Sequence, residues 1–138
     1  MAAVSKSFYD TPNRRGLVIG VLPCGESLEN PRDGYPNQWV EIPVATHLPL
    51  SGEGGTEPMS RNHVNVLSSD VMVALPGGAG TLSEVRLAVR YERPVVAFVE
   101  SDQDIPGLPD SVPTCSSLEG VRTFVTTQLG LSGLRPKL

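Results

Sequence analysis

The feature that most constrains this chain is the run from residue 71 to residue 91. Val71-Met72-Val73-Ala74-Leu75 is apolar throughout and passes directly into Pro76-Gly77-Gly78-Ala79-Gly80-Thr81. A helical pattern follows from Leu82 to about Tyr91, with Leu82, Val85, Ala88 and Val89 on one face. A strand with no polar alternation has no solvent face, so it needs cover on both sides. A helix returning through a tight turn supplies one of those layers. Strand, turn and helix in this order form the unit of a parallel α/β sheet.

The rest of the chain repeats the alternation. Residues 1–9 read as the tail of a helix ending before Pro12, and Leu17–Leu22 reads as a strand buried on both faces. Turn residues fill 23–38: Pro23, Gly25, Asn30-Pro31, Asp33-Gly34 and Pro36-Asn37. Val40–Thr46 is a second strand, which Pro43 places near an edge. Gly52, Gly54 and Gly55 make a flexible stretch before a helix capped by Thr56, with Glu57-Pro58 in its first turn, running to about Leu67. Pro94–Val99 is a further strand, and Leu118, Val121, Val125 and Leu129 mark a last helix. The prediction is one Rossmann-like three-layer α/β domain over residues 1–138, with a mostly parallel sheet. Its ligand site belongs at the carboxyl ends of the strands.

Composition removes other classes. Gly (14) and Pro (13) make up about a fifth of the 138 residues, too many for a helical bundle. Eleven basic against fifteen acidic residues give a net charge of −4, the wrong sign for a nucleic-acid polymer. No apolar run approaches the ~20 residues of a membrane span. The start Met1-Ala2-Ala3-Val4-Ser5-Lys6 lacks the pattern of a signal peptide. The two cysteines, Cys24 and Cys115, have no metal-ligand spacing and read as reduced thiols of a cytoplasmic protein. His47 has no partner at metal-binding spacing, and His63 reads as a surface residue, so no metal site is assigned.

The chemistry concentrates at 76–84. Three glycines let a ligand approach the backbone, and the following helix presents unpaired N–H groups and its positive dipole end. That suits a phosphate, although neither the P-loop nor the Gly-x-Gly-x-x-Gly spacing is present. A tight strand-to-helix turn without ligand is the alternative. Thr81 followed by Glu84 has the spacing of a capping box, so Glu84 reads either as a cap or as a catalytic carboxylate. Arg61 lies early in the preceding helix, where it could pair with Glu57 or serve the site. Asn65 shares its face, while Val64 and Leu67 face the core.

These residues resemble the LOG (LONELY GUY) family, historically called possible lysine decarboxylases. Pro76-Gly77-Gly78-Ala79-Gly80-Thr81-Leu82-Ser83-Glu84 is similar to that family's Pro-Gly-Gly-x-Gly-Thr-x-x-Glu. Met59-Ser60-Arg61-Asn62 resembles its Met-x-x-Arg-Lys motif, with one residue fewer and Asn62 in place of Lys. That departure, with Leu22-Pro23 and Pro36-Asn37, leans toward the branch of molybdenum cofactor carrier proteins.

The resemblance implies an N-glycosidic hydrolysis of nucleoside 5′-monophosphates, cytokinin precursors among them, releasing base and ribose 5-phosphate. It places Arg61 and Glu84 in catalysis. It places Gly77, Gly78, Ala79, Gly80, Thr81 and Asn62 at the phosphate or substrate. No cofactor is required for that reaction. The carrier alternative binds the molybdenum cofactor, a phosphorylated pterin, without turnover, and a third reading is a truncated or regulatory domain. The family begins with a strand and a glycine loop, and the resemblance leads to the expectation that Met1-Ala2-Ala3-Val4 corresponds to the helix after them. The resemblance implies a homodimer, since family members assemble that way, and an unpaired strand edge with the apolar Leu87 and Tyr91 leads to the same expectation.

Overall fold

The structure, a computed structural model, describes residues 1–25, 30 and 32–130. Pro31, one of the turn residues read at 23–38, lies outside the described residues. In chain order the elements are α1 (Ala2–Tyr9), β1 (Ile19–Leu22), β2 (Ile42–Ala45), a 3-10 turn (Gly52–Thr56) and α2 (Asn62–Leu67). There follow β3 (Met72–Ala74), α3 (Ala79–Arg90), β4 (Val95–Phe98), a second 3-10 turn (Asp102–Asp104), β5 (Thr114–Cys115) and α4 (Leu118–Gln128). Every strand pairing is parallel, and helices flank the sheets, so the fold is Rossmann-like α/β.

The strands form two sheets. β1 pairs with β2, Ile19 opposite Ile42, and β3, β4 and β5 lie side by side in that order. β4 is the central strand of the larger sheet, and its Val95, Val96 and Ala97 are buried as an apolar run requires. Among the described residues β3 pairs along one edge only. Met72 N–H donates to Pro94 O at 2.8 Å, so the alternating groups of Val71, Val73 and Leu75 point away from β4. β2 is an exposed strand and contains Pro43, in keeping with an edge.

The burial expected on both faces of Leu17–Leu22 is corrected. Leu17 is 56 % and Ile19 60 % exposed, and Leu22 alone is buried. The covering helices α3 and α4 pack on β3 and β4, leaving β1 with its neighbour β2. A bidentate ion pair ties this half together instead. Arg14 donates to both oxygens of Glu41 at 2.8 Å, and Val18 N–H donates to the same carboxylate. The guanidinium also lies over the Phe8 and Tyr9 rings of α1. Its hydrogen bonds, with that of Val18, hold the Glu41 carboxyl below the ordinary carboxylate range.

The core sits between the larger sheet, α2 and α3. Val66, Val85, Leu87, Ala88, Ala97 and Ile105 are fully enclosed there. Leu87 is therefore an interior residue, and Tyr91 hydrogen-bonds His63 at 2.8 Å, so neither extends an apolar outer surface. α2 turns Asn62 and Val66 inward, four residues apart, whereas Leu67 is 45 % exposed and Val64 is half-buried. The helix expected from Thr56 starts instead at Asn62. Glu57 precedes Pro58, which excludes it from the helical region, and it adopts φ −76° and ψ 153°. Among the described residues no helix is long and apolar enough to cross a membrane.

Candidate functional site

β3 ends at Ala74, Leu75 and Pro76 follow, and α3 already begins at Ala79 with Gly78 as its N-cap. The helix thus starts inside the glycine loop, three residues before the expected Leu82. This shift decides the local roles. Thr81 is the third residue of the helix rather than its cap, and no side chain caps Gly78. The capping-box reading of Thr81 and Glu84 is overturned, which leaves the Glu84 carboxylate free of the helix end.

The loop glycines differ in what they do. A Cβ on Gly77 would lie 2.3 Å from Thr81 Oγ1, so Gly77 makes room for a close approach of strand end and helix start. Its N–H is spent on Asp104 O at 3.0 Å. Gly78 has open space where a Cβ would stand, and Gly80 nearly so. The N–H groups of Ala79, Gly80 and Thr81 open the helix without intrahelical acceptors, and the positive end of the α3 dipole coincides with them.

Glu84 lies in the wall of a cavity of about 430 Å³ that runs along β3 and up to Pro76. Thr81, Asn65 and Ser69 also line it, as do Met1, Ala3 and Val4 at the start of the chain. Asn65 Nδ2 donates to Glu84 Oε1 at 2.8 Å. Sequence reading placed Asn65 on the face of Arg61 without a role. The usable signal was its position four residues after Arg61 on a helix that leads into the glycine-bearing strand.

Arg61 goes elsewhere. Its Nη1 donates to Val21 O at 3.0 Å, its guanidinium stands 5.6 Å from the centre of the Tyr35 ring, and its buried Nε has no partner among the described residues. Val18 O and Leu22 O accept from residues on the β2 side, so Val21 O lies on the other edge of β1. Arg61 thus covers that open edge and does not pair with Glu57. It is absent from the lining of the Glu84 cavity. The two residues connect through α2: Asn65 N–H donates to Arg61 O, and the Asn65 amide holds Glu84.

Asn62 is only 2 % exposed. Its Nδ2 would stand 2.5 Å from a Cβ at Gly55, and Ser83 Cβ would stand 2.6 Å away. Gly55, read as a flexible residue, is thereby a close-packed contact between the first 3-10 turn, α2 and α3. Ser83 Oγ reinforces it by donating to Gly52 O at 2.7 Å. Of the residues expected at the ligand, Thr81 and Glu84 line the cavity; Gly77, Gly78, Ala79 and Gly80 lie in the chain between its lining residues Pro76 and Thr81 but are not in the lining themselves, and neither are Arg61 and Asn62. His63 bridges Glu57 O and Tyr91 Oη at 2.8 Å each, a tie between α2 and its surroundings. Among the described residues no group of three His, Cys, Asp or Glu side chains could hold a metal ion.

No curated protein and no solved structure matches the chain. One family model does, over residues 1–116, a span that carries every element from α1 to β5 and therefore both sheets, the glycine loop and Glu84. The parallel strands and flanking helices fit that family's Rossmann-like superfamily, which is related to the LOG enzymes and suggests a nucleotide-related function. The chain belongs to the SLOG cluster4 family.

Proposed function

We propose that this protein is a nucleoside 5′-monophosphate phosphoribohydrolase of the LOG type. The observation that carries the reading is Glu84. It borders a cavity that runs along β3 to Pro76, and it is the sixth residue of a helix whose first N–H groups have no intrahelical acceptor. A 5′-phosphate binds at Gly78, Ala79, Gly80 and Thr81 through those N–H groups and the helix dipole. Gly77 shapes the loop, because its own N–H serves Asp104. Among the described residues no Lys or Arg lines the cavity, so backbone groups carry the anion recognition there.

Cleavage breaks the bond between the anomeric carbon and the base nitrogen, with the electron pair leaving on that nitrogen. Positive charge develops on the ribose, and a carboxylate beside it lowers the barrier electrostatically. Water adds its oxygen to the anomeric carbon. Glu84 accepts the water proton and returns it to the departing base, so the products are base and ribose 5-phosphate. Arg61 holds Val21 O outside the cavity lining and bears on Glu84 only through Asn65. The reaction requires no cofactor.

The free thiols of Cys24 and Cys115 support a cytoplasmic setting, and the β1 and β3 edges that have no strand partner among the described residues support a homodimer, which light scattering will read. The catalytic test uses AMP and an N6-prenylated AMP, with free base measured by chromatography. The wild-type chain should release base, and Glu84→Gln should be at least about 100-fold slower. Tight binding of nucleotide or molybdenum cofactor with no base released would refute hydrolysis and favour the carrier alternative. The buried place of Asn62 gives that alternative no ligand contact of its own.

A further inference from the structure

We infer that Asn65 is a positioning residue for Glu84, holding one carboxylate oxygen so that the other faces the reacting centre; this rests on the hydrolase reading. Among the described residues the Asn65 amide is the one side-chain donor to that carboxylate, at 2.8 Å on Oε1. A glutamate has three side-chain torsions, and its terminal torsion is soft. One hydrogen bond on Oε1 removes that last freedom and leaves Oε2 as the oxygen available to water.

The donor is itself fixed. Asn65 N–H donates to Arg61 O at 3.1 Å, and Asn65 O accepts from Ser69 Oγ at 2.8 Å. The amide thus extends from a helix backbone anchored on both sides, and Asn65, Ser69 and Glu84 all border the same cavity. An amide has a further advantage over a cation here. It orients the carboxylate without neutralising the negative charge that must face the developing ribose cation. A lysine or arginine on Oε1 would hold the group equally well and blunt that charge.

The experiment measures base release from AMP by the full chain carrying Asn65→Ala, Asn65→Asp or Glu84→Gln, with a melting curve for each. Asn65→Ala should lower kcat about 10- to 100-fold while KM moves less than about twofold, since orientation acts in the transition state. Asn65→Asp, of the same shape but with no donor and a like charge, should lose at least as much. Unchanged kcat in Asn65→Ala, beside an inactive Glu84→Gln, overturns the positioning role and leaves the hydrolase reading standing. A rise in KM with kcat preserved also overturns it, by making Asn65 a substrate contact. Unfolding of both Asn65 variants shows a structural residue and overturns it as well. No base release from the wild-type chain overturns both readings together.

Discussion

Three alanine substitutions in one loop separate glycines that serve packing from glycines that serve a ligand. At Gly77 the new methyl would lie 2.3 Å from Thr81 Oγ1 and 3.1 Å from Thr81 Cβ. Ordinary contacts begin near 3.5 Å, so the first distance must grow by about 1 Å. Rotating the threonine hydroxyl relieves the shorter contact. The longer one requires the start of α3 to move by a few tenths of an ångström. Overpacking of this kind costs about 1–3 kcal/mol, which for a chain of this size lowers Tm by roughly 3–10 °C.

At Gly78 nothing lies within 4 Å and φ is −94°, so alanine should leave Tm within about 1–2 °C. At Gly80 the nearest atom is Gly52 Cα at 3.9 Å, an ordinary contact. Gly80 is the second residue of α3, short of the helix interior where glycine costs most, so alanine should leave Tm at or slightly above the wild-type value. Binding should rank differently. A phosphate on the first N–H groups of α3 occupies the space into which the Gly78 and Gly80 methyls would project. Both variants should therefore weaken AMP, measured by calorimetry, while melting at or above the wild-type temperature. Gly78→Ala melting as low as Gly77→Ala would refute the packing argument. Wild-type AMP affinity in both Gly78→Ala and Gly80→Ala would refute the phosphate assignment.

Leu87→Ala should destabilise the chain by about 2–5 kcal/mol in urea denaturation, because Leu87 is fully enclosed in the core; a loss below about 0.5 kcal/mol would place it at a surface after all. The ion pair of Arg14 and Glu41 predicts an acid limb of stability. Arg14 and the Val18 N–H depress the folded Glu41 carboxyl below its unfolded value, so the contribution is complete above the ordinary carboxylate range. It fades as pH falls through the depressed folded value. Glu41→Gln should flatten that limb in denaturation measured against pH, and an unchanged limb would assign it to other carboxylates.

The legible parts of the fold share one property: local sequence and tertiary burial agree. Pro94–Val99 reads as a buried strand, and β4 is one, because sheet neighbours and helices enclose it. α3 was legible as a helix, but its buried arc is wider than one stripe. Leu87 is enclosed and Val89 is 42 % exposed, since the helix meets the sheet on one side and α2 with the first 3-10 turn on another. The start of α2 was misread because Thr56, Glu57 and Pro58 form a good first turn in isolation. The proline instead fixed its neighbour as extended. At the site, spacing singles out Thr81 and Glu84 but cannot say whether the carboxylate caps the helix. The start of α3 at Ala79 removes the cap, because Thr81 is already the third helical residue.

The division of the strands into two sheets was beyond reach of periodicity, which identifies strands but not their neighbours. Its consequence for the site is concrete. A parallel edge left without a strand exposes every second carbonyl and amide, and an exposed carbonyl attracts the nearest strong donor. Arg61 is that donor for Val21 O, and this accounts for its distance from the cavity of Glu84. The arginine has five N–H groups, of which Nη1 reaches Val21 and the buried Nε has no partner among the described residues. A bound anion that engaged the rest of the fork would recover the unmet part of that capacity. Asn65, four residues on, would register the same event, because its backbone hangs from Arg61 O and its amide from Glu84 Oε1. One short helix therefore links an open sheet edge to the carboxylate.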